Sequence, residues 1–157
     1  MTSAPAPPRY KRPVSVLVVV YTTALDVLLL ERADFPDHWQ SVTGSQEAGE
    51  TLAATALREL AEETGIDGRL HGGVRDWDAQ RDFEIFAQWR HRYPPGTTHN
   101  REHAFGLEVH ERVPVRLAPR EHRQCIWLPW RDAAARCFSW TNREAILTLP
   151  ERARAAA

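Results

Sequence analysis

The 157-residue chain has little of several features that mark particular classes of protein. Its two cysteines, Cys125 and Cys137, form neither a CxxC pair nor a metal-ligand spacing, which excludes a disulfide framework and suits a reducing cytoplasm. The seven histidines show no zinc-ligand spacing. The longest apolar run, at residues 14–21, is too short to span a bilayer, so we expect no membrane partner.

An excess of charge of either sign is also missing. The formal net charge of −1 and the pI near 6.7 give no electrostatic case for a nucleic-acid partner. No apolar segment precedes the basic residues at 9–12, so we expect a cytoplasmic protein rather than a secreted one. Lysine is nearly absent, since Lys11 stands alone beside nineteen arginines. A coding bias of the source genome explains the many arginines. Because replacement of lysine by arginine would be easy in such a chain, the single lysine is a candidate functional residue.

The most informative segment, residues 44–66, reads GSQEAGETLAATALRELAEETGI. Its middle is rich in helix formers, with Thr51 before it as a candidate N-cap and Gly65 after it as a C-cap glycine. The segment therefore predicts a helix over Leu52–Thr64. Helical periodicity places five side chains on the face that we expect to pack on a core: Ala53, Ala56, Leu57, Leu60 and Thr64.

Three carboxylates, Glu59, Glu62 and Glu63, fall on a neighbouring face of this helix. They repel one another unless a cation lies between them, and Mg²⁺ is typically held by carboxylates together with substrate phosphates. Arg58 could hold a carboxylate in place with its planar guanidinium. Glu50 precedes the helix, and we expect the glycine-containing loop around it to bring it back to the metal face. A lone acidic cluster is usually a solvated surface, but this register favours a metal and phosphate site.

The rest of the chain predicts a mixed β-sheet in an α/β/α sandwich. Strands are expected at 14–21, 26–31, 39–43, 83–91, 104–112 and 124–128, with a proline-containing loop at 93–100. Helices are expected at 131–137 and 142–149, the second capped by Thr141 or Asn142. Residues 1–8 (MTSAPAPP) are predicted to be a disordered tail, and residues 9–157 a single domain.

Residues 44–66 match without exception the box that defines the Nudix hydrolases, and the chain is identified as a member of that family. Further stretches are similar to the bacterial subfamily that hydrolyses dihydroneopterin triphosphate in folate biosynthesis. They are YKRPVSVLVVVY (10–21), HWQSVTGS (38–45), FEIFAQWRHRYPPG (83–96), EH (121–122) and SWTNR (139–143), with Asn100 and Glu102, which we place in a loop. Residues 67–79 match poorly. The resemblance implies the Nudix fold, an α/β/α sandwich, and products dihydroneopterin monophosphate and pyrophosphate.

The resemblance also implies roles for single residues. Glu59 and Glu63 match metal ligands on the helix, Glu121 matches one from a later loop, and Glu62 would ligate directly or through water. The expected cofactor is Mg²⁺, with Mn²⁺ as a substitute. The catalytic residues would be Glu63, Glu121, Glu59 and Arg58, with Glu63 or Glu121 as the general base. The expected substrate contacts are Lys11, Arg32, Thr43, Phe83, Glu84, Ile85, Phe86 and Ser139.

A pterin ring needs a flat apolar slot with a few hydrogen-bonding groups. The candidates for this slot are Trp39, Phe83, Phe86, Trp140 and Asn142. Three alternatives remain open: a different Nudix substrate such as a nucleoside triphosphate or dinucleoside polyphosphate, a non-catalytic nucleotide sensor, and a hydrolase of RNA 5′ ends. The sequence shows no interface signature, so it does not indicate the oligomeric state.

Overall fold

The computed structural model describes residues 2–7 and 9–156, and this part of the chain holds seven strands and four α-helices. The strands are β1 (Val14–Thr22), β2 (Asp26–Arg32), β3 (Trp39–Gln40), β4 (Val42–Ser45), β5 (Arg75–Glu84), β6 (His99–Val109) and β7 (His122–Pro129). The helices are α1 (Leu52–Thr64), α2 (Trp130–Arg136), α3 (Trp140–Leu147) and α4 (Leu149–Ala156), and 3₁₀ turns cover Gly68–His71 and Ala87–Arg92.

Strand β1 lies at the centre of a mixed sheet. It pairs in parallel with β6 over its whole length, from Val14 opposite Arg101 to Thr22 opposite Val109. On its other side its partner changes: the first half pairs with β4, and the end meets β2 at Tyr21. The sheet order is β3-β2-β1-β6-β5, with β4 on β1 and β7 on β2. This change of partner places β4, and the loop that leads into α1, beside the amino end of β1.

The core has two layers because successive side chains of β1 point to opposite faces of the sheet. Val16, Val18 and Val20 pack with the apolar face of α1. Leu17, Val19 and Tyr21 pack with residues of α2, α3 and α4 on the other face. The predicted α/β/α sandwich is therefore confirmed. Within the described residues, no helix is both long and apolar enough to cross a membrane.

Helix α1 has the predicted bounds and caps. Thr51 has an extended backbone and its hydroxyl accepts a hydrogen bond from the Ala54 N–H (3.1 Å), while Gly65 takes the left-handed conformation at φ 74°. Of the predicted packing face, Ala56, Leu60 and Thr64 are buried and Leu57 partly so. Ala53 is exposed, so that part of the prediction was wrong. Thr55 is buried instead, with its hydroxyl turned towards the Glu50 carboxylate (3.1 Å).

The strand predicted at 83–91 was wrong. Strand β5 ends at Glu84, a 3₁₀ turn follows, and β5 begins at Arg75 in a segment for which no strand was predicted. Its sequence, RDWDAQRDFE, lacks an apolar run because it is an edge strand with one exposed face. Strand β6 begins at His99, five residues earlier than predicted. Asn100 and Glu102 therefore lie on a strand and not in a loop.

The C-terminal helices also differ from the prediction. Helix α2 begins one residue earlier, and α3 starts at Trp140 with Ser139 as its cap residue, in place of Thr141 or Asn142. Helix α4 was not predicted. Its proline, Pro150, lies in the first turn, where the missing N–H is tolerated. Residues 2–7 form neither helix nor strand, while Met1 and Pro8 lie outside the described residues, so disorder of 1–8 and a single domain over 9–157 stay predictions.

Candidate metal and phosphate site

A cavity of about 1140 Å³ lies where β4, α1, the end of β5 and the start of β6 converge. It is also lined by residues 9–12 and by the segments 120–122 and 138–143. Every residue predicted as catalytic, metal-binding or substrate-binding lines this one cavity: Lys11, Arg32, Thr43, Arg58, Glu59, Glu62, Glu63, Phe83, Glu84, Ile85, Phe86, Glu121 and Ser139. The structure thus brings together residues that are up to 128 positions apart in the sequence.

Arg58 organises the start of the acidic helix. Its Nε donates to Glu50 Oε2 (2.7 Å) and its Nη2 donates to Glu50 Oε1 (2.9 Å), a two-point pairing of guanidinium and carboxylate. The hydrogen bonds from Arg58 lower the pKa of Glu50 to about 2. Glu47 N–H also donates to Glu50, so both carboxylate oxygens are in use. The expectation that Glu50 returns to the metal face was therefore wrong, because Arg58 holds it at the loop.

The same guanidinium positions Glu59. Arg58 Nη1 donates to Glu59 Oε1 at 2.8 Å and lies 3.4 Å from Glu62 Oε2, at the exposed end of the network. Gly44 of β4 faces the Glu59 side chain so closely that any Cβ there would overlap its carboxyl group. Contact with Glu59, and not a left-handed backbone, thus favours glycine at position 44. Together, Arg58 and Gly44 determine where the Glu59 carboxylate lies.

Glu63 occupies the buried end of the acidic face. It is 3% exposed and accepts a hydrogen bond from the Thr43 N–H at 3.4 Å. Glu63, Glu121 and His122 each offer one ligand atom, and these atoms lie within 4.8 Å of one another. Glu121 is exposed, so the cluster opens to the cavity on that side. The later loop predicted to supply Glu121 therefore does bring it beside Glu63.

The pKa values show how crowded these carboxylates are. Burial, offset in part by Arg58, raises the pKa of Glu59 to about 7. Burial, together with the charges of Glu59 and Glu121, raises the pKa of Glu63 well above its ordinary value. A divalent cation between such groups would restore their charged forms. The oxygen-rich donor set fits a hard cation such as Mg²⁺.

His122 is a site residue that the sequence analysis missed. It is buried, its Nε2 lies 3.4 Å from Gln40 Nε2, and its Nδ1 has no hydrogen-bond partner within residues 2–7 and 9–156. Burial, followed by the nearby Arg32 charge, lowers the pKa of His122 to about 4, so the ring is neutral. The signal was its position next to Glu121, since a search for zinc spacing between histidines does not detect a lone histidine beside a carboxylate.

Cationic side chains line another part of the cavity. Arg32 donates to both oxygens of Asp34, from Nε and Nη2, each at 2.8 Å. Arg92 Nη2 donates to Asp34 Oδ2 at 3.2 Å, so one carboxylate holds two guanidinium groups. Lys11 lines the same cavity, and burial of its ammonium, with Arg92 close by, lowers its pKa. Arg92 and Asp34 were not predicted as site residues. Arg92 lies within the stretch 83–96 that resembles the subfamily, but its pairing with Asp34 joins segments 58 residues apart, which the sequence pattern does not reveal.

An aromatic cluster forms a further wall, comprising Phe35, Phe86, Trp89 and Phe138. The Phe86 ring centroid lies 5.3 Å from that of Trp89 and 5.9 Å from that of Phe138. The Arg32 guanidinium lies over Trp89, 4.2 Å from its centroid. Phe86 is 45% exposed, which leaves a flat apolar surface open to the cavity. Phe86, Trp89 and Phe138 line the cavity, and of these three the sequence predicted only Phe86.

The other candidates for the ring slot divide into two groups. Phe83 and Trp140 line the cavity, whereas Trp39 is buried in the core and does not. Asn142 lines the cavity, but its amide is in use, since Oδ1 accepts from Ser41 N–H (2.8 Å) and Nδ2 donates to Ser41 Oγ (3.0 Å). It connects α3 to the strand region, which is a structural role. Only Phe83 and Trp140 of these four candidates therefore remain available to a ring.

The remaining predicted contacts have local partners. The Thr43 hydroxyl donates to the Val16 carbonyl (2.9 Å), and the Ser139 hydroxyl lies 2.8 Å from that of Thr141. Glu84 forms an ion pair with Arg90. Ile85 is buried, and its N–H donates to the Thr98 carbonyl. Each lines the cavity, but in these positions their backbone and partners shape the wall.

An acidic helix face that is buried at Glu63, a cationic rim and a cavity on an α/β/α sandwich are typical of a metal-dependent hydrolase of phosphoanhydride bonds. The chain matches the NUDIX domain family over residues 11–149 and belongs to that family. It is a Nudix hydrolase, and enzymes of this family generally use a divalent metal.

Curated relatives match almost the whole chain. The dihydroneopterin triphosphate diphosphatase of Escherichia coli strain K12 is 49% identical over 141 residues, covering 87% of this chain and 91% of the enzyme. The enzyme of the same name from Haemophilus influenzae is 43% identical over 141 residues, covering 88% and 87%. The solved structure of the E. coli dihydroneopterin triphosphate pyrophosphohydrolase superposes with a TM-score of 0.83 at 46% identity, covering 87% and 94% of the two chains.

Proposed function

We propose that this protein hydrolyses dihydroneopterin triphosphate to dihydroneopterin monophosphate and pyrophosphate, with Mg²⁺ as its cofactor. The observation that carries the proposal is one continuous cavity that joins the acidic face of α1 to a cationic rim and an aromatic wall. A triphosphate attached to a flat ring matches these features, because its phosphates suit the metal site and the cationic rim and its ring suits the aromatic wall. The enzymes from E. coli and H. influenzae that carry this name are 49% and 43% identical to the chain.

The residues present fit a divalent cation. Glu63 and Glu121 are the carboxylates closest to a shared centre, with Glu59 adjacent and Glu62 at the exposed edge. Neutral His122 contributes a lone pair beside them. When bound, Mg²⁺ neutralises phosphate charge and lowers the pKa of water.

The chain's own cations bind the rest of the triphosphate. Arg32 and Arg92, fixed by Asp34, present charged N–H groups that suit phosphate oxygens. Because their partner holds them in place, little ordering is needed when the substrate binds. Lys11 adds a compact positive charge at the same cavity wall. These groups stabilise the negative charge that develops on the departing pyrophosphate.

A carboxylate must accept the proton of the attacking water, and two are placed for it. Glu63 is buried and fixed by the Thr43 N–H, whereas Glu121 is exposed on the 120–122 segment. Replacing the base removes the acidic limb of the pH profile while metal affinity falls only modestly. Replacing a residue that is only a ligand weakens metal affinity first. Glu63→Gln and Glu121→Gln, each measured over pH and Mg²⁺ concentration, therefore assign the two roles.

The test of the proposed substrate is pyrophosphate release from a panel of compounds in the presence of Mg²⁺. The panel comprises dihydroneopterin triphosphate, dGTP, ATP, diadenosine tetraphosphate and ADP-ribose, compared by kcat/KM. We expect the pterin triphosphate to lead clearly and all activity to disappear with EDTA. A lead for another compound keeps the metal site and rejects the pterin, and no hydrolysis of any compound favours a nucleotide sensor.

A further inference from the structure

Glu102 is a buried carboxylic acid to which the proposed reaction gives no role. It lies on β6 opposite Ser15 of β1 and Arg81 of β5, and it lines the cavity while being 7% exposed. Burial raises its pKa to about 7, although a hydrogen bond from Thr141 and the charge of Arg81 act in the opposite direction. Arg81 itself donates to Glu144 on α3 (3.1 Å). A carboxylic acid buried at such a place costs stability unless hydrogen bonds or an ion pair offset its desolvation.

Asn100 supplies a second acceptor close to Glu102. The two are separated by two positions on β6, so they point to the same face of the sheet, about 7 Å apart along the strand. Asn100 is 2% exposed and lines the cavity. Its Nδ2 donates to Ser15 Oγ (2.7 Å), while its Oδ1 has no hydrogen-bond partner in the described ranges 2–7 and 9–156. This free, buried acceptor contrasts with Asn142, whose Oδ1 and Nδ2 each make a hydrogen bond to Ser41.

The two acceptors lie beside an aromatic ring. Phe83 is directly opposite Asn100 in the antiparallel pairing of β5 with β6, so both side chains are on one face, and both line the cavity. The floor of the cavity thus offers an aromatic face and two oxygen acceptors. A flat heterocycle whose edge carries N–H donors fits this combination, because each buried acceptor then gains a hydrogen bond.

The ring edge of a pterin has this character, since its 2-amino group and the adjacent ring N–H are two donors side by side. We propose that Glu102 is the specificity-determining residue for the ring: its carboxylate accepts hydrogen bonds from the 2-amino group and the adjacent ring N–H, and Asn100 Oδ1 accepts a further one. This inference rests on the proposed function for its substrate. It assigns ring selection to a residue separate from the metal site.

The donors and acceptors on the ring edge also predict how well other substrates bind Glu102. Guanine presents the same pair of donors, hypoxanthine lacks the 2-amino group, and adenine presents one donor and one acceptor. A carboxylate accepts two hydrogen bonds, whereas the Gln amide offers one acceptor and one donor. Glu102→Gln therefore matches adenine better and the pterin worse. A purely structural role for Glu102 would lower the activity on every substrate by a similar factor.

The experiment measures kcat/KM of the full-length protein with Mg²⁺ for dihydroneopterin triphosphate, GTP, ITP and ATP. We expect Glu102→Gln to reduce kcat/KM for the pterin triphosphate by about 10- to 100-fold, mainly through KM, and to leave ATP unchanged or improved. Glu102→Asp, which keeps both acceptors, should retain the preference for the pterin over ATP. The matched control is Glu144→Gln, which removes the other partner of Arg81 from an exposed position and should change no substrate ratio.

A comparison of GTP with ITP needs no variant and so does not depend on folding. Wild-type protein should prefer GTP, and Glu102→Gln should abolish that preference. An equal rate for GTP and ITP with wild-type protein, or a uniform loss on all four substrates in Glu102→Gln, overturns the assignment of Glu102. Failure of the proposed function looks different: wild-type protein would then show no lead for dihydroneopterin triphosphate over ATP, whatever Glu102→Gln does to the GTP-to-ITP ratio.

Discussion

Arg58 and Glu50 form a two-point ion pair that fixes the entry to the acidic helix, with N–O distances of 2.7 and 2.9 Å. The same guanidinium donates to Glu59 and to the Ser45 carbonyl. One side chain thus connects β4, the loop before α1 and a candidate metal ligand. Arg58 lines the cavity, but its hydrogen bonds go to Glu50, Glu59 and Ser45, so we expect it to act through the position of Glu59.

Replacing Arg58 by lysine should test this positioning role. Lysine keeps the charge but cannot make the paired hydrogen bonds of a guanidinium. We expect kcat/KM to fall about 10- to 100-fold, by loss of one or two charge-assisted hydrogen bonds. Arg69→Lys is the matched control, since Arg69 pairs with Asp67 on the exposed surface away from the cavity, and it should leave kinetics unchanged. Equal kinetics for Arg58→Lys and wild type would remove Arg58 from the site.

Gly44→Ala should displace a carboxylate with little change in the fold. The new methyl group would overlap the Glu59 carboxyl group, so the side chain must move off its position. We expect a marked rise in the Mg²⁺ concentration needed for half-maximal activity. Gly72→Ala is the control variant. Gly72 has open space around it but a left-handed φ of 86°, so the substitution should lower the stability by about 1 kcal/mol and leave the kinetics unchanged. An unchanged Mg²⁺ requirement in Gly44→Ala, together with a raised Mg²⁺ requirement in Gly72→Ala, would contradict the contact between position 44 and Glu59.

Asp34→Asn should weaken phosphate binding without touching a cation. Asp34 holds both Arg32 and Arg92, and the amide offers only one oxygen acceptor to two guanidinium groups. We expect KM for the triphosphate to rise about fivefold or more, with a smaller change in kcat, because the two cations lose their ordering. Asp67→Asn, which releases only the exposed Arg69, is the control. An unchanged KM in Asp34→Asn shows that these arginines do not meet the substrate.

The metal-free protein should become less stable as the pH rises from 5 to 8. Glu59 and Glu102 have a pKa of about 7 in the folded chain against an ordinary 4.5, so the folded state binds more protons than the unfolded state. Their stabilising contribution is complete below about pH 4.5 and is lost as the pH rises through 7. His122, whose pKa is lowered to about 4, acts in the opposite direction up to about pH 6.5, but two carboxyl groups outweigh this single imidazole. Glu50, with a pKa of about 2, acts only below this window.

Thermal unfolding in EDTA at several pH values measures this effect. We expect Tm to fall between pH 5 and pH 8, and Glu59→Gln and Glu102→Gln each to flatten the curve. Mg²⁺ added at pH 8 should raise Tm in wild type, because binding to the folded state alone stabilises it. A Tm that increases steadily over this range would contradict the raised pKa values.

The sequence predicted the parts of the site that local chemistry determines. The cap at Thr51, the glycine at position 65 and the spacing of Glu59 and Glu63 lie within one helix, and there the bounds were correct. Helical periodicity did not predict that Thr55 is buried in place of Ala53, because burial near the end of a helix depends on which strand packs against it. Resemblance to the family supplied Glu121, which no periodicity could connect to α1.

The rest of the site depends on contacts between distant segments. Asn100 and Glu102 lie on a strand because β6 pairs with β1 and β5. Strand β5 was not predicted because charged residues recur along its sequence and it has no apolar run. His122 and Asp34 gain their roles from neighbours on other elements. Glu50 was predicted to return to the metal face, but it binds Arg58. The spacing in the sequence allows both positions and does not distinguish between them.

The most direct measurement is ³¹P NMR of the products formed from dihydroneopterin triphosphate with Mg²⁺, for wild type and for Glu63→Gln. Wild type should give pyrophosphate and a monophosphate ester in equal amounts. Glu63→Gln should slow product formation by about 100-fold or more, through loss of a ligand or base, while circular dichroism shows an intact fold. Orthophosphate in place of pyrophosphate, or normal turnover in Glu63→Gln, would contradict the account.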